Sequence, residues 1–141
     1  MDDIYTLNHT GAQIDEANEK GLATADYIIQ QGVSGIWTYR KWNSGMAECW
    51  ATVSATMTVM GENPFTAGGG YVIPTYDFPF EFVEAPSVHF SADVGNGYAI
   101  IAKTYKSTTI AKALVYSNSV NGSSQTCNFS IYAFGPIGGV L

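Results

Sequence analysis

Every second residue from Ala47 to Val59 is apolar and the residues between them are polar except for Trp50, which is the clearest pattern in the chain. A period of two places successive side chains on opposite faces of a β-strand, so one face is predicted to be buried and the other exposed. Residues 36–42 also have strand-forming composition, and Asn43-Ser44-Gly45 supplies a turn between the two segments. We therefore predict an antiparallel hairpin of residues 36–42 with residues 47–58.

Short strands separated by turns are predicted along the rest of the chain. Residues 71–82 contain Pro74 and Pro79 and are predicted to form an edge strand or an extended segment, because proline has no N–H for a central ladder. Gly95-Asn96-Gly97 is predicted to be the tight turn of a hairpin. No helical periodicity lies between the strands, so we predict an all-β, antiparallel β-sandwich. The other predicted strands are 27–31, 86–94, 98–105, 110–116 and 126–134.

The N-terminal residues follow a different pattern. Thr10 and Gln13 have the spacing of a capping box, and a short helix is predicted from Ile14 to Lys20. We predict a helical, oligomerising or docking appendage over residues 1–32 and a β-sandwich domain over residues 33–141. The alternative is a helix that lies against its own domain.

The composition narrows the classes of function. Hydrophobic residues make up 46% of the 141 residues and charged residues 13%, about half the usual charged share of roughly 25%. A net charge of −6 argues against nucleic-acid and anionic-membrane binding, since both need clustered cations. No run of apolar residues is long enough for membrane insertion, and the acidic start lacks the features of a secretory signal. We therefore expect synthesis in a bacterial cytoplasm without a signal peptide.

Neither cysteines nor histidines form a pattern typical of a metal site. Cys49 and Cys127 are predicted to be buried free thiols on separate strands, with a disulfide allowed only if those strands are neighbours. We expect no metal and no cofactor. The carboxylates offer possible acid–base pairs of the glycosidase type, but any acidic chain offers such pairs, and we predict that the protein is not an enzyme. These carboxylates are Asp77, Glu81, Glu84 and Asp93.

The aromatic residues of the first hairpin are the strongest candidates for contacts with other molecules. Trp50 alternates with the apolar set and is predicted to face outward, as is His89 on its own strand. Outward rings cover an oligomer interface, stack on a sugar, or pack beneath a loop of the same chain. Arg40 is predicted to pair with Glu48 across the hairpin.

The run from Ser34 to Trp50, SGIWTYRKWNSGMAECW, resembles a stretch common in tail proteins of prophages from Gram-positive gut bacteria. The segment His9-Thr10-Gly11-Ala12-Gln13-Ile14-Asp15 is similar to the segment that precedes this module in those proteins. Together the two segments cover about a sixth of the chain. The resemblance implies a phage or prophage tail fibre or baseplate component, and therefore a location in the virion.

The run Phe78-Pro79-Phe80-Glu81-Phe82-Val83-Glu84-Ala85-Pro86-Ser87-Val88 is similar to the opening of H-type lectin-like domains. These domains are small antiparallel sandwiches, typically trimers that bind sugars at subunit borders. The resemblance implies a homotrimer that binds carbohydrate. The lectins carry a tryptophan near the closing strand, where this chain has residues 129–134, so no sugar-contacting residue is transferred from the family.

We therefore predict a homotrimeric receptor-binding protein that recognises a host-surface glycan and contacts other tail or baseplate proteins. Many weak sites presented together gain avidity. The alternatives are a purely structural fibre or baseplate subunit without a ligand, and a glycan-degrading tail enzyme. The predicted ligand-binding residues are His89, Asn96, Tyr98 and Asn121. The predicted interface residues are Leu7, Ile14, Trp37, Tyr39, Trp42 and Trp50.

Overall fold

The fold is all-β. A computed structural model describes residues 25–65 and 67–139. The predicted helix, together with Leu7 and Ile14, lies outside the described residues. All the regular structure within them is strand, and the predicted all-β antiparallel fold is confirmed. The nine strands are β1 (Ile28–Ser34), β2 (Trp37–Trp42), β3 (Met46–Thr58), β4 (Gly70–Val72), β5 (Thr75–Asp77), β6 (Ser87–Asp93), β7 (Ala99–Thr104), β8 (Ile110–Ser117) and β9 (Ser124–Pro136).

The first sheet has five strands in the order β1-β2-β3-β9-β6, all antiparallel. Its centre is the ladder between β3 and β9, which runs without irregularity from the Met46–Pro136 pair to the Thr58–Ser124 pair. The predicted hairpin is confirmed as β2 and β3. Gly45 closes its turn with a φ of 85°, a conformation that favours glycine.

The first strand crosses the predicted domain boundary between residues 32 and 33. Residues on both sides of that boundary pair with β2, for example Gln31 with Arg40 and Val33 with Thr38. Residues 28–32 are therefore part of the first sheet rather than of an appendage.

The second sheet is built around β8, with which β4, β5 and β7 all pair. Ser117 of β8 pairs with both Gly70 and Ala99, so β4 and β7 flank it on opposite sides. The short strands β4 and β5 follow one register along β8 and are separated at Pro74, whose carbonyl accepts a hydrogen bond from the Ala113 N–H at 3.3 Å. Proline explains the gap, since it has no N–H to donate.

The predicted hairpin around Gly95-Asn96-Gly97 is wrong. β6 pairs with β9 in the first sheet, whereas β7 pairs with β8 in the second, so this turn carries the chain from one sheet to the other. Gly95 and Gly97 both have positive φ, which fits the predicted tight turn. Turn composition predicted the reversal of the chain, but it contains no information about which strands then pair.

The two sheets share one hydrophobic core. The first sheet contributes Phe129 and Ile131, and the second contributes Ala113 and Val115, all of them buried. Phe82, in the segment that leads from the second sheet back to the first, is also buried and packs against Phe78 and Phe80 at ring distances of 5.0 and 5.2 Å. Burial of these apolar side chains is the main stabilising term of the fold.

The two cysteines are free and buried, as predicted. They lie on neighbouring strands, β3 and β9, which is the condition for a disulfide. However, Cys127 pairs with Ala55, six residues along β3 from Cys49. At 3.3 Å per residue the two thiols are about 20 Å apart along the ladder. A disulfide needs Cα atoms within about 7 Å, so this register excludes one.

Candidate functional site

The outer face of the first sheet, turned away from the core, carries a row of three aromatic side chains. The register of β3, β9 and β6 pairs Trp50 with Tyr132 and Tyr132 with His89. Tyr132 is 39% exposed. Its ring centroid lies 6.5 Å from that of His89. Three neighbouring strands therefore present one continuous aromatic row to the solvent.

The adjacent row on the same face consists of small hydroxyl side chains. Thr52 pairs with Ser130, and Ser130 pairs with Ser91. A row of large rings beside a row of small side chains leaves a depression of about 440 Å³ between them. We call this depression the outer-face groove. Its outward-facing lining is the half-buried Trp50 together with the exposed Tyr132, His89, Thr52, Ser130 and Ser91.

An ion pair and a hydrogen bond tie the groove to the first hairpin. The predicted pair is confirmed, with Nη1 of Arg40 lying 3.5 Å from Oε1 of Glu48. The hydroxyl of Tyr132 donates a 2.6 Å hydrogen bond to Oε2 of Glu48. The Arg40 guanidinium also lies 5.2 Å above the Trp50 ring. Glu48 therefore holds both Arg40 and Tyr132, and these two side chains are fixed beside Trp50.

Burial, the hydrogen bond to Glu48 and the charge of Glu48 together raise the pKa of Tyr132 to about 12. Its phenol therefore stays protonated and remains a hydrogen-bond donor across the neutral range.

The groove combines the groups that recognise sugars. Aromatic faces pack on the C–H surfaces of sugar rings, and hydroxyl and imidazole groups bond to sugar hydroxyls. The described residues that line the groove include no Asp or Glu. Glu48, beside it, is already held by Arg40 and Tyr132. The groove therefore suits binding better than acid–base catalysis by a pair of carboxylates.

The structure places the four predicted ligand-binding residues in two regions. His89 faces outward, as predicted, and lines the groove. Asn96 and Tyr98 lie in the β6–β7 connection, and Asn121 lies in the β8–β9 connection. The side chain of Asn118 joins these two connections, since its Oδ1 accepts the Tyr98 N–H at 3.0 Å. His89 is four residues before Asp93, where its strand ends and the β6–β7 connection begins, a separation of about 13 Å.

The four predicted tryptophan and tyrosine interface residues divide between the two faces of the first sheet. Trp37 is only 2% exposed, and its indole N–H donates to the Asp77 carbonyl at 2.6 Å, so it has almost no surface for another subunit. Tyr39 shares the inner face and packs edge-on against Phe80. Trp42 and Trp50 lie on the outer face. Strand alternation explains the division, because residues 37 and 39 have the opposite phase to residue 42.

Four residues of the groove were not predicted from the sequence to be site residues: Tyr132, Thr52, Ser91 and Ser130. The alternation of β9 predicts that Ser130 and Tyr132 face away from the buried Phe129 and Ile131. The outward direction of these two side chains was therefore predictable. Their position beside Trp50 and His89 was not, because it depends on β9 lying between β3 and β6.

A second aromatic group, formed by one exposed phenylalanine and two half-buried tyrosines, lies on the outer face of the second sheet. Phe65, 68% exposed, packs edge-on against Tyr116 at 5.4 Å, and Tyr71 packs on the same ring at 6.4 Å. Ile100, opposite Tyr116 on β7, is also exposed. This group was not identified from the sequence and forms an apolar patch at one end of the sheet.

In the part of the chain that the structure describes, no helix has the length and apolar character needed to cross a membrane. Nor do three or more metal-binding side chains come together among those residues.

No protein-family model matches the chain, and no curated protein matches it at a significant level. Two solved structures are similar in fold. One is an N-truncated R1-type pyocin tail fibre, with a TM-score of 0.50 and 18% identity over 92% of this chain and 99% of that one. The other is a C-terminal part of the R1 pyocin fibre of P. aeruginosa, with a TM-score of 0.50 and 19% identity over 90% of this chain and 32% of that one. At these identities the likeness is one of fold, and it spans nearly the whole of this chain.

Proposed function

We propose that this protein is the receptor-binding tip of a phage or prophage tail fibre, and that it recognises a host-surface glycan as a homotrimer. The observation that carries the proposal is the likeness of fold to pyocin tail fibres, which extends over 92% of this chain and 99% of one fibre chain. The sequence resemblance to prophage tail proteins, carried by residues 34–50, supports the same assignment independently. In this proposal the two antiparallel sheets form a sandwich of the H-type lectin kind.

The outer-face groove supports glycan recognition. Trp50 provides a ring face, and its position is fixed by the Arg40 guanidinium above it. Thr52, Ser91 and Ser130 provide hydroxyl groups at the level of the sheet. A site of this size and openness holds one or two sugar units weakly, so three copies on one fibre would supply the avidity needed to hold a cell surface.

Exposed apolar side chains on β1 support a subunit contact. β1 is an edge of the first sheet. Its Ile28 and Val33 are 43% and 73% exposed, and Ile36 in the following turn is 44% exposed. Edge strands with apolar side chains pair or pack with further chains unless they are protected. This surface is the one we propose for contacts between subunits.

The rival function is a purely structural fibre subunit without a ligand. The exposed Phe65, which packs on Tyr116 beside Tyr71, favours it, since exposed rings are also typical of oligomer interfaces. In that case the groove would bind no polysaccharide.

Binding of host-wall polysaccharide, measured by isothermal titration calorimetry, tests the proposal. Trp50→Ala should weaken binding about tenfold through loss of the stacking surface. Thr52→Trp places a large ring in the groove from an exposed strand position and should abolish binding. Trp42→Ala is the matched control, because Trp42 lies on the same face outside the groove and packs against Phe134.

Two results would contradict the proposal. One is equal binding by Trp50→Ala and Trp42→Ala. The other is a failure of host-wall polysaccharide to bind the unaltered protein at millimolar concentration, which would favour the structural subunit. Light scattering tests the assembly separately: a mass of three chains is expected, and a stable monomer would exclude the trimer.

A further inference from the structure

Two lysines share one tyrosine ring on the outer face of the second sheet. Lys103 and Tyr105 are two residues apart on one extended segment, and the Tyr105 N–H donates to the Lys112 carbonyl of β8 at 2.9 Å. The ammonium nitrogens of Lys103 and Lys112 lie 4.3 and 4.7 Å from the centroid of the Tyr105 ring. We call these three residues the lysine–tyrosine cluster.

The cluster concentrates positive charge in an acidic protein. The chain has six Lys and Arg against twelve Asp and Glu. Three of those six, Lys103, Lys106 and Lys112, fall within ten residues of sequence. Across residues 25–65 and 67–139, none of the three has a carboxylate within ion-pair distance, while Arg40 is paired with Glu48. Even Asp77, which lies on the strand next to Lys112 and pairs with Ile110, makes no ion pair with it.

The geometry keeps two like charges close together. The two ammonium nitrogens cannot be farther apart than their two distances to the ring centroid combined. The π electrons of the Tyr105 ring attract each ammonium group but cannot neutralise its charge. An anionic group within reach of both ammonium groups would be attracted by both charges and would relieve their mutual repulsion.

We infer that the lysine–tyrosine cluster is a subsite for the anionic groups, phosphate or carboxylate, of a host-surface polysaccharide. The inference rests on the proposed function and specifies the chemistry of its ligand. Thr75, exposed and directly opposite Lys112 on β5, supplies a hydroxyl on the same face for the sugar that carries the charge. Two ammonium groups are too few for nucleic acid, whose binding needs a larger cluster of cations, but they are enough for one anionic group of a polysaccharide.

The test uses three polymers and the full chain. Polygalacturonate presents carboxylates, poly(glycerol phosphate) presents phosphates, and dextran is the uncharged control. We expect at least one polyanion to bind and its binding to weaken as salt rises from about 50 to about 500 mM, because salt screens exposed charges. Whichever polymer binds identifies the anionic group.

Single substitutions locate the site. Lys103→Gln and Lys112→Gln should each weaken polyanion binding about two- to fivefold, as expected for one exposed charge contact. Lys103→Arg keeps the charge and should retain binding. Lys41→Gln is the matched control, because Lys41 also lies over aromatic rings, those of Tyr39 and Phe80, but on the first sheet.

The inference is overturned if Lys103→Gln and Lys112→Gln bind the polyanion as well as the unaltered protein does, or if Lys41→Gln causes an equal loss. If neutral wall polysaccharide binds in a way that depends on Trp50 while neither polyanion binds, the anionic subsite is overturned but the proposed glycan recognition is not. If no polysaccharide of any kind binds, the proposed function itself fails.

Discussion

The hydroxyl of Tyr132 on β9 donates to the Glu48 carboxylate on β3, although these two residues are not partners in the ladder. Trp50 is opposite Tyr132, and Phe134 is opposite Glu48, so the hydrogen bond runs diagonally across the outer face. It connects β9 to the Arg40–Glu48 ion pair of the first hairpin. The edge of the outer-face groove is therefore fixed by side chains as well as by the ladder.

Removal of the Tyr132 hydroxyl should change how stability depends on pH. Burial and the contact with Glu48 raise the folded-state pKa of Tyr132 from its ordinary value of 10.0 to about 12. Between these values the unfolded phenol has lost its proton and the folded phenol has not. The stabilising effect is therefore complete below about pH 10 and is lost as the pH rises through the folded-state value. Tyr132→Phe should show a smaller loss of stability in this range.

Urea unfolding at about pH 8 and about pH 11 measures this difference. Tyr27→Phe, which removes an exposed phenol that is remote from Glu48, is the control and should lose stability as the unaltered protein does. Burial raises the pKa of Cys49 to about 12 as well, so part of the alkaline loss remains in every variant. An equal loss in Tyr132→Phe and in the unaltered protein would contradict the prediction.

The two thiols should be unreactive in the folded protein. Both side chains are fully buried, and burial raises the pKa of Cys49 to about 12 and also raises that of Cys127. The thiolate is the reactive form, so neither thiol should react with Ellman's reagent at neutral pH until the chain unfolds. Ser54→Cys, at an exposed position of β3, is the positive control. Rapid modification of a native thiol would contradict the burial of the two cysteines, and an intramolecular disulfide after mild oxidation would contradict the register of β3 and β9.

Gly97→Ala should be more destabilising than Gly95→Ala. Both glycines have positive φ, 101° and 75°, which costs an alanine about 1–2 kcal/mol. At Gly97 a Cβ would also collide with the amide of Asn118, which accepts the Tyr98 N–H, whereas at Gly95 the space is open. We expect losses of roughly 3 and roughly 1 kcal/mol, respectively, measured by denaturant unfolding. Equal losses would mean that the Asn118 contact contributes nothing.

Trp37→Phe should be more destabilising than Trp42→Phe. Trp37 is buried against Phe78 at 5.8 Å, and its indole N–H donates to the Asp77 carbonyl. The smaller ring leaves a cavity and an unpaired carbonyl, at a cost of about 2 kcal/mol. Trp42, on the outer face, should lose less than about 1 kcal/mol. Thermal unfolding of the two variants provides the comparison, and a reversed order would place Trp37 on the surface.

Several features of this protein were predictable from the sequence because they depend on local periodicity. The alternation after Ala47 predicts β3 and its buried face, and the turn at Gly45 predicts the hairpin with β2. Alternation along each strand also places Trp50 of β3 and His89 of β6 on the outer face, and the hairpin register sets Arg40 opposite Glu48. Each of these features is decided within about a dozen residues, where the geometry of a strand leaves one arrangement.

The tertiary structure alone decided which strands became neighbours. β9 inserts between β3 and β6, and only this order brings Trp50, Tyr132 and His89 into one row. It also directs the chain after Gly95 into the other sheet. Backbone hydrogen bonds are nearly identical for every strand pair, so a sequence that specifies which face is buried does not specify the partner. The partner is chosen by how well distant apolar faces fill a common core, and that choice determined the site.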